Sequence, residues 1–429
     1  MRQISKAFKN SNQHQARDSL IRLARILFSP LPSFVKRHII NKYFCKKHLS
    51  AIFTQNRRMK ISEIISELEV LAPRAYAEGF DNTGLLIGDA TTEVSGILVT
   101  LDSLESVVDE AIETNCNLIV SFHPIVFSGL KKITGKNYVE RVVLKAIKND
   151  IAIYAIHTAL DNSFNGVNAG ICDRLKLTNR KILIPQKGTI KKLITYAPLS
   201  EAEALRQVLF EAGAGSIGNY KECSFSLEGT GTYKGNEDSN PVVGKKHELT
   251  TAEETQINVT FPKHLESAVI KALHASHSYE EVAYEVLNLE NTNQHIGMGM
   301  VGTLETPMEE AAFLTFLKKQ MNAQVVRHSK FRNKTIKTVA VLGGSGAFAI
   351  DAAKGSGADV FITADLKYHD FYKAENELLM ADIGHYESEQ FTKELLHTFL
   401  SKKSSNFAPA LPQGRVVLSK INTNPISYF

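Results

Sequence analysis

From Met59 onward, short β-branched runs alternate with segments of helical period, and this limits the fold more than any other feature of the chain. "GILVTLD", "NLIVSF" and "IAIYAI" have the length and composition of strands, whereas "SLESVVDEAIET", "NYVERVVLKAIKND" and "GVNAGICDRL" repeat their apolar residues every three or four positions. The pattern returns near the C-terminus. There "KTVAVLGG", "ADVFITAD" and "LLMADIG" read as strands, "GAFAIDAAKGSG" and "HDFYKAENE" as the helices between them, and "ESEQFTKELLHTFLSK" as a closing helix. Strands made of unbroken apolar runs and joined by helices imply a parallel sheet covered on both faces. The stretch from about 190 to 290 differs, because two helices there are set among four strand-like segments in the order β-α-β-β-α-β. That order predicts a ferredoxin-like α+β module inserted between two α/β halves. The expected division is 59–188, 189–291 and 292–429.

The net charge of +5 is unevenly placed. Residues 1–58 hold 13 Lys and Arg against one acid, Asp18, a balance of +12 that leaves −7 for everything after. The basic character belongs to this leader, so a nucleic-acid partner is not expected for the folded body. The leader is Arg-rich and acid-poor, as transit peptides and membrane-surface helices are. The plainer reading is a non-native extension ahead of a start at Met59. Cys45, Cys116, Cys172 and Cys223 are scattered with no CxxC pair, which fits a reducing, cytoplasmic setting. No apolar run approaches the ~20 residues of a membrane span.

Three of the predicted strands run into His and carboxylate residues. "NLIVSF" leads to His123, "IAIYAI" to His157 and Asp161, and "LLMADIG" to His385 and Glu389. In open α/β sheets the functional crevice lies beyond the carboxyl ends of the strands. His with Asp or Glu is a ligand set for Zn, Fe, Mn and similar divalent ions, and His385 and Glu389 share one face if a helix starts there. Any one of these residues alone reads more readily as a surface or capping group, and it is their recurrence at the ends of three predicted strands that points to a site. "GGSGAF" after the strand "VAVL" offers backbone N–H groups for a phosphate, but it lacks the Lys and spacing of a P-loop, and a tight structural turn is the favoured reading.

Several motifs resemble those of the NGG-interacting-factor family, whose members are also named type-two GTP cyclohydrolase homologs. "EGFDNTGLLIGD" is similar to the family's opening WDNxGL-type signature, with Phe80 for Trp, and "SFHPIVF" to its HHPxxF motif. "HTALDNSFNGVN", "ITADLKYHD" and "DIGHYESE" are similar to the remaining ones, and "AGAGSIGNYKECSFSLEGTGTY" with "HSYEEVAYEVLNLEN" to the PII-like insert of longer members. The resemblance spans about 60 to 419. It implies one metal-binding domain built from two related α/β halves, a PII-like insert, a toroidal homohexamer, and one or two divalent ions (Zn, Fe or Mn) held by His123, Asp161, His385 and Glu389. His157 and His369 are implied as orienting residues or proton carriers, with pocket-wall residues as the alternative. One departure is Phe122, which stands where the family has a first His and cannot ligate. Two functional classes follow: a metal-dependent hydrolase acting on a small molecule, or a metal-binding regulatory or scaffold protein whose insert senses a ligand.

Overall fold

The computed structural model describes residues 59–407 and 415–429, so the basic leader lies outside the described residues. A five-stranded sheet has the order Gly84–Ile87, Ala152–Ala155, Leu118–Ser121, Ile97–Thr100, Val416–Leu418. Its three central strands are parallel and buried at every position, which is why they read as unbroken apolar runs. Helices Glu105–Glu113 and Tyr138–Lys148 cover one face, packing Val107, Val108, Val142 and Ala146 on Leu98, Ile119 and Ile153.

A six-stranded sheet has the order Arg327–His328, Leu379–Asp382, Val360–Ala364, Thr335–Ser345, Gly297–Glu309, Thr178–Pro185. Leu379–Asp382, Val360–Ala364 and Thr335–Ser345 are parallel, and the other pairings are antiparallel. Sequence pattern did not reveal Gly297–Glu309 or Thr178–Pro185. The first carries three glycines in its opening half, and the second has Asn179, Arg180 and Lys181 after its opening Thr178; glycine, Asn and Lys are all depleted in strands.

The two sheets exchange strands. Thr178–Pro185 precedes the insert yet edges the six-stranded sheet, and Val416–Leu418 follows the second block yet pairs with Ile97–Thr100. One continuous core links both sheets, running from Val99, Val120 and Tyr154 through Leu68, Ile171 and Leu396 to Val341, Ile362 and Ala381. The strand ends of both sheets are therefore held in fixed relation.

The chain leaves the six-stranded sheet at Pro185 and returns at Gly297, which face one another in register. Between them Ile190–Pro198, Ala202–Glu211, Ser224–Tyr233, Thr250–Pro262, Glu266–Ser276 and Tyr284–Asn288 follow one another as the sequence pattern predicts. The four strands form an antiparallel sheet in the order Ser224–Tyr233, Thr250–Pro262, Ile190–Pro198, Tyr284–Asn288. They pack on the two helices through a core of their own around Leu193, Leu209, Ile257, Phe261 and Leu273. One expected helix is corrected: "HDFYKAENE" gives a 3₁₀ segment, Tyr368–Ala374, ended by Glu375 and Asn376 in left-handed conformation at φ 48° and 59°.

Candidate metal centre

Strand register alone brings the first set of polar residues together. Thr100 pairs with Ser121, and Ser121 with Ala155. Two residues beyond these aligned positions stand Asp102, His123 and His157, one from each parallel strand. In the other sheet Thr363 pairs with Asp382, and just beyond them come Asp365 and His385.

Each His is tied to one of the carboxylates. His123 Nδ1 lies 2.7 Å from Asp102 Oδ1, His385 Nδ1 2.6 Å from Asp365 Oδ2, and His157 Nδ1 2.8 Å from Asp81 Oδ1. An ionised carboxylate can only accept, so all three Nδ1 atoms carry their protons, and in the neutral ring Nε2 is left with a lone pair. The supports are themselves held. Asp102 takes a further hydrogen bond from Thr423 Oγ1 in the C-terminal segment, Asp365 one from Ser345 Oγ, and Asp81 two from Thr158. His157 sits at φ 29°, a costly conformation for a residue with a side chain, fixed here by its Asp81 bond and its place at the strand end.

His123 Nε2 and His385 Nε2 converge on a single oxygen, Glu389 Oε2, at 3.0 and 3.2 Å. Neither contact has the geometry of a hydrogen bond, and this buried oxygen has no hydrogen-bond partner. One donor atom each from His123, His385 and Glu389 falls within 4.8 Å of the others. Asp161 lines the same cavity from helix His157–Asp161, and its Oδ1 is likewise buried without a partner. Three of the residues expected to form a ligand set thus present converging atoms, and Asp161 is beside them.

Glycine makes room for Glu389. At Gly344 (φ 70°) a Cβ would stand 2.4 Å from Glu389 Oε1, and the Gly344 N–H is held by Ser388 Oγ at 2.9 Å. In this structure the glycines of "GGSG" end the strand Thr335–Ser345, and Gly344 receives a carboxylate where a tight turn was expected. Gly344→Ala is expected to displace Glu389 and weaken metal binding at least about tenfold, the scale of losing a group that supports a ligand. Competition against a chelating dye measures this; an unchanged affinity in a folded variant would contradict the assigned role.

The electrostatics follow from burial and these pairings. Burial opposes charge on His123, but Asp102 and Glu389 outweigh it and raise its pKa to about 10. Contact with Glu389 does the same for His385 despite partial burial, to about 9. Burial would raise Glu389, yet the two imidazoles hold it near 2. Asp161 moves upward, through burial first and the charge of Glu389 second. Burial is also overcome at Asp81, where His157 and Thr158 hold the carboxyl below its usual range.

The cavity beside these groups measures about 250 Å³. Phe80 and Phe348, 68% and 60% exposed, line it, and Phe127 packs against both Phe80 and the His157 ring. Phe122 is wholly buried, its ring 5.6 Å from that of His157 and 4.9 Å from that of His123. His369 does not belong to the site. It is exposed on the segment Tyr368–Ala374, packed beside Tyr368 and Tyr372, and does not line the cavity. Asp81, Asp102 and Asp365 were missed as site residues, although the last two end predicted strands and the same strand-end signal applies to them.

A family model described as Duf34/NIF3 (NGG1p interacting factor 3) matches residues 59–425. The chain is 39% identical over 368 residues to a "GTP cyclohydrolase 1 type 2 homolog" of Bacillus subtilis, covering 85% of this chain and 98% of that one. A Staphylococcus epidermidis protein of the same name is 34% identical over 371 residues, all of its length. Among solved structures, a Bacillus cereus protein related to NIF3 superposes with a TM-score of 0.76 at 36% identity, covering 87% of this chain and 100% of that one.

Proposed function

Because this chain belongs to the Duf34/NIF3 family, we propose that it is a divalent-metal protein whose ion is held by His123, His385 and Glu389, with Asp161 as the neighbouring carboxylate, and that it works as a metal-dependent hydrolase. The observation that supports this most is the approach of two imidazole Nε2 atoms to one buried carboxylate oxygen that has no hydrogen-bond partner. A buried carboxylate oxygen without a hydrogen bond is costly, and a cation held among the three atoms, in place of the imidazole protons, would satisfy it. Asp161 Oδ1, buried and unpartnered, fits the same explanation. The set of two nitrogens and carboxylate oxygens suits Zn, Fe or Mn.

When bound, such an ion polarises an electrophile and acidifies a coordinated water. The protein's own residues would do the rest. Asp102 and Asp365 fix the tautomer and aim of His123 and His385. His157, whose Nδ1 is fixed by Asp81, lines the cavity and is placed to carry a proton to or from a substrate there. Among the described residues lining the cavity there is no Lys or Arg, and Phe80 and Phe348 wall it. Those walls suit a flat, uncharged body better than a triphosphate, so the nucleotide substrate named for the relatives is not carried over. Metal per chain by elemental analysis, with anomalous scattering from crystals grown without chelator, tests the site. A hydrolase screen on that metal-loaded protein then tests the reaction.

One observation favours a second reading, a metal-binding regulatory or scaffold protein with a ligand-sensing PII-like insert. Phe122 fills with a buried ring the position at which the family motif supplies another imidazole. A second ion would therefore bind distinctly more weakly than the first. Phe122→His is expected to raise occupancy toward two ions per chain after dialysis against a weak chelator. Two equally tight ions in the unaltered protein would contradict this.

A further inference from the structure

The inserted four-stranded sheet carries a cavity of about 450 Å³ that shares no residue with the metal centre. Three tyrosines, Tyr196, Tyr233 and Tyr279, line it, the rings of Tyr233 and Tyr279 being 6.3 Å apart. Pro241, Val242 and Ala283 are the other apolar side chains of the lining. Glu254 is the polar group built into it. Tyr279 Oη donates to Glu254 Oε1 at 2.8 Å, and the other oxygen lies over Gly231, where any Cβ would come within 2.2 Å of it. The second glycine of "GTGTY" is thus the residue that lets this carboxylate lie along the strand. Glu280 and Glu281 add two acids to the lining against one base, Lys234.

A mostly apolar pocket with a few convergent polar groups is the usual form of a small-molecule site. Its charge selects the ligand. Aromatic faces are negative and attract cations, and a carboxylate held beside them adds to the attraction while repelling anions. A bare metal ion is not favoured: among the described residues, three His, Cys, Asp or Glu donors converge at the metal centre and not here. We propose that this cavity binds an organic cation, a substituted or quaternary ammonium on an apolar body, between the tyrosine rings and Glu254. The insert is then the part of the molecule that responds to such an amine, independently of what occurs at His123, His385 and Glu389.

Calorimetry on the full chain tests this with three probes: benzyltrimethylammonium, neutral benzyl alcohol and anionic phenylacetate. The cation should bind at least about tenfold more tightly than the alcohol, with no binding of phenylacetate. Glu254→Gln and Gly231→Ala should each weaken the cation about tenfold. Lys234→Glu, an exposed change that threatens no packing, should strengthen it severalfold, and Glu389→Gln should leave it unchanged. Absence of saturable binding by the cation would overturn the proposal. So would equal affinity for the alcohol, indifference to both Glu254→Gln and Lys234→Glu, or a loss of cation binding in Glu389→Gln.

Discussion

Glu389→Ala is expected to strip the protein of metal and at the same time to destabilise the metal-free chain. Glu389 is 4% exposed and is approached by both His123 and His385, so its removal deletes one proposed ligand and leaves two partly buried imidazoles without the carboxylate between them. Breaking a buried charge pair costs about 3–5 kcal/mol. The loss of metal affinity should exceed the ~10–100-fold expected from removing a supporting group such as Asp102 or Asp365. Asp161→Ala should also lower occupancy, but it removes a repulsive neighbour of Glu389, so the metal-free chain should gain stability from it. The opposite signs separate a ligand that also forms an ion pair from one that is merely crowded. Elemental analysis and thermal unfolding in the presence and absence of chelator provide both readings. Full occupancy after Glu389→Ala would remove this centre as the metal site.

Metal binding should strengthen steeply with pH while the metal-free fold weakens. Without an ion, His123 and His385 hold protons up to about pH 10 and 9, so uptake of a cation must expel them. Two displaced protons make the apparent affinity rise by up to about a hundredfold per pH unit through neutrality. In the metal-free chain both imidazoles titrate above their ordinary value. Their stabilising contribution is complete below about pH 6.5 and is lost as pH rises through 9 to 10. Asp161, also raised, acts in the same direction, its contribution fading as pH climbs above the ordinary carboxyl range. Glu389 acts oppositely, but only in acid, its contribution present above about 4.5 and lost toward 2. The gap in melting temperature between metal-loaded and metal-free protein should accordingly widen from pH 6 to 9. A constant gap, or one that narrows, would mean the imidazoles are not what the ion displaces.

The residues of the centre could be found from sequence because their signals are local. Unbroken apolar runs mark buried parallel strands, ligand-type residues cluster where such runs end, and His385 and Glu389 are spaced to share one helical face. The same locality explains the β-α-β-β-α-β order of the insert, whereas "GGSGAF", expected as a tight turn, ends the strand Thr335–Ser345 and opens the 3₁₀ segment Ala347–Ala349. Partnership is not local. Asp81 and His157 are 76 residues apart, Asp102 and His123 21, and Asp365 and His385 20. Those pairs depend on which strands lie side by side and in what register, and side-chain period carries neither fact. The exchange of Thr178–Pro185 and Val416–Leu418 between sheets was hidden for the same reason, since a strand's pattern does not say which sheet it joins. The placement of His369 outside the cavity, on the exposed 3₁₀ segment Tyr368–Ala374, carried no sequence signal either. Sequence therefore determined which side chains arrive at the strand ends. Only the tertiary structure decided that two imidazoles, each braced by its own carboxylate, meet at one oxygen of Glu389, because that meeting joins the ends of two different sheets across a shared core.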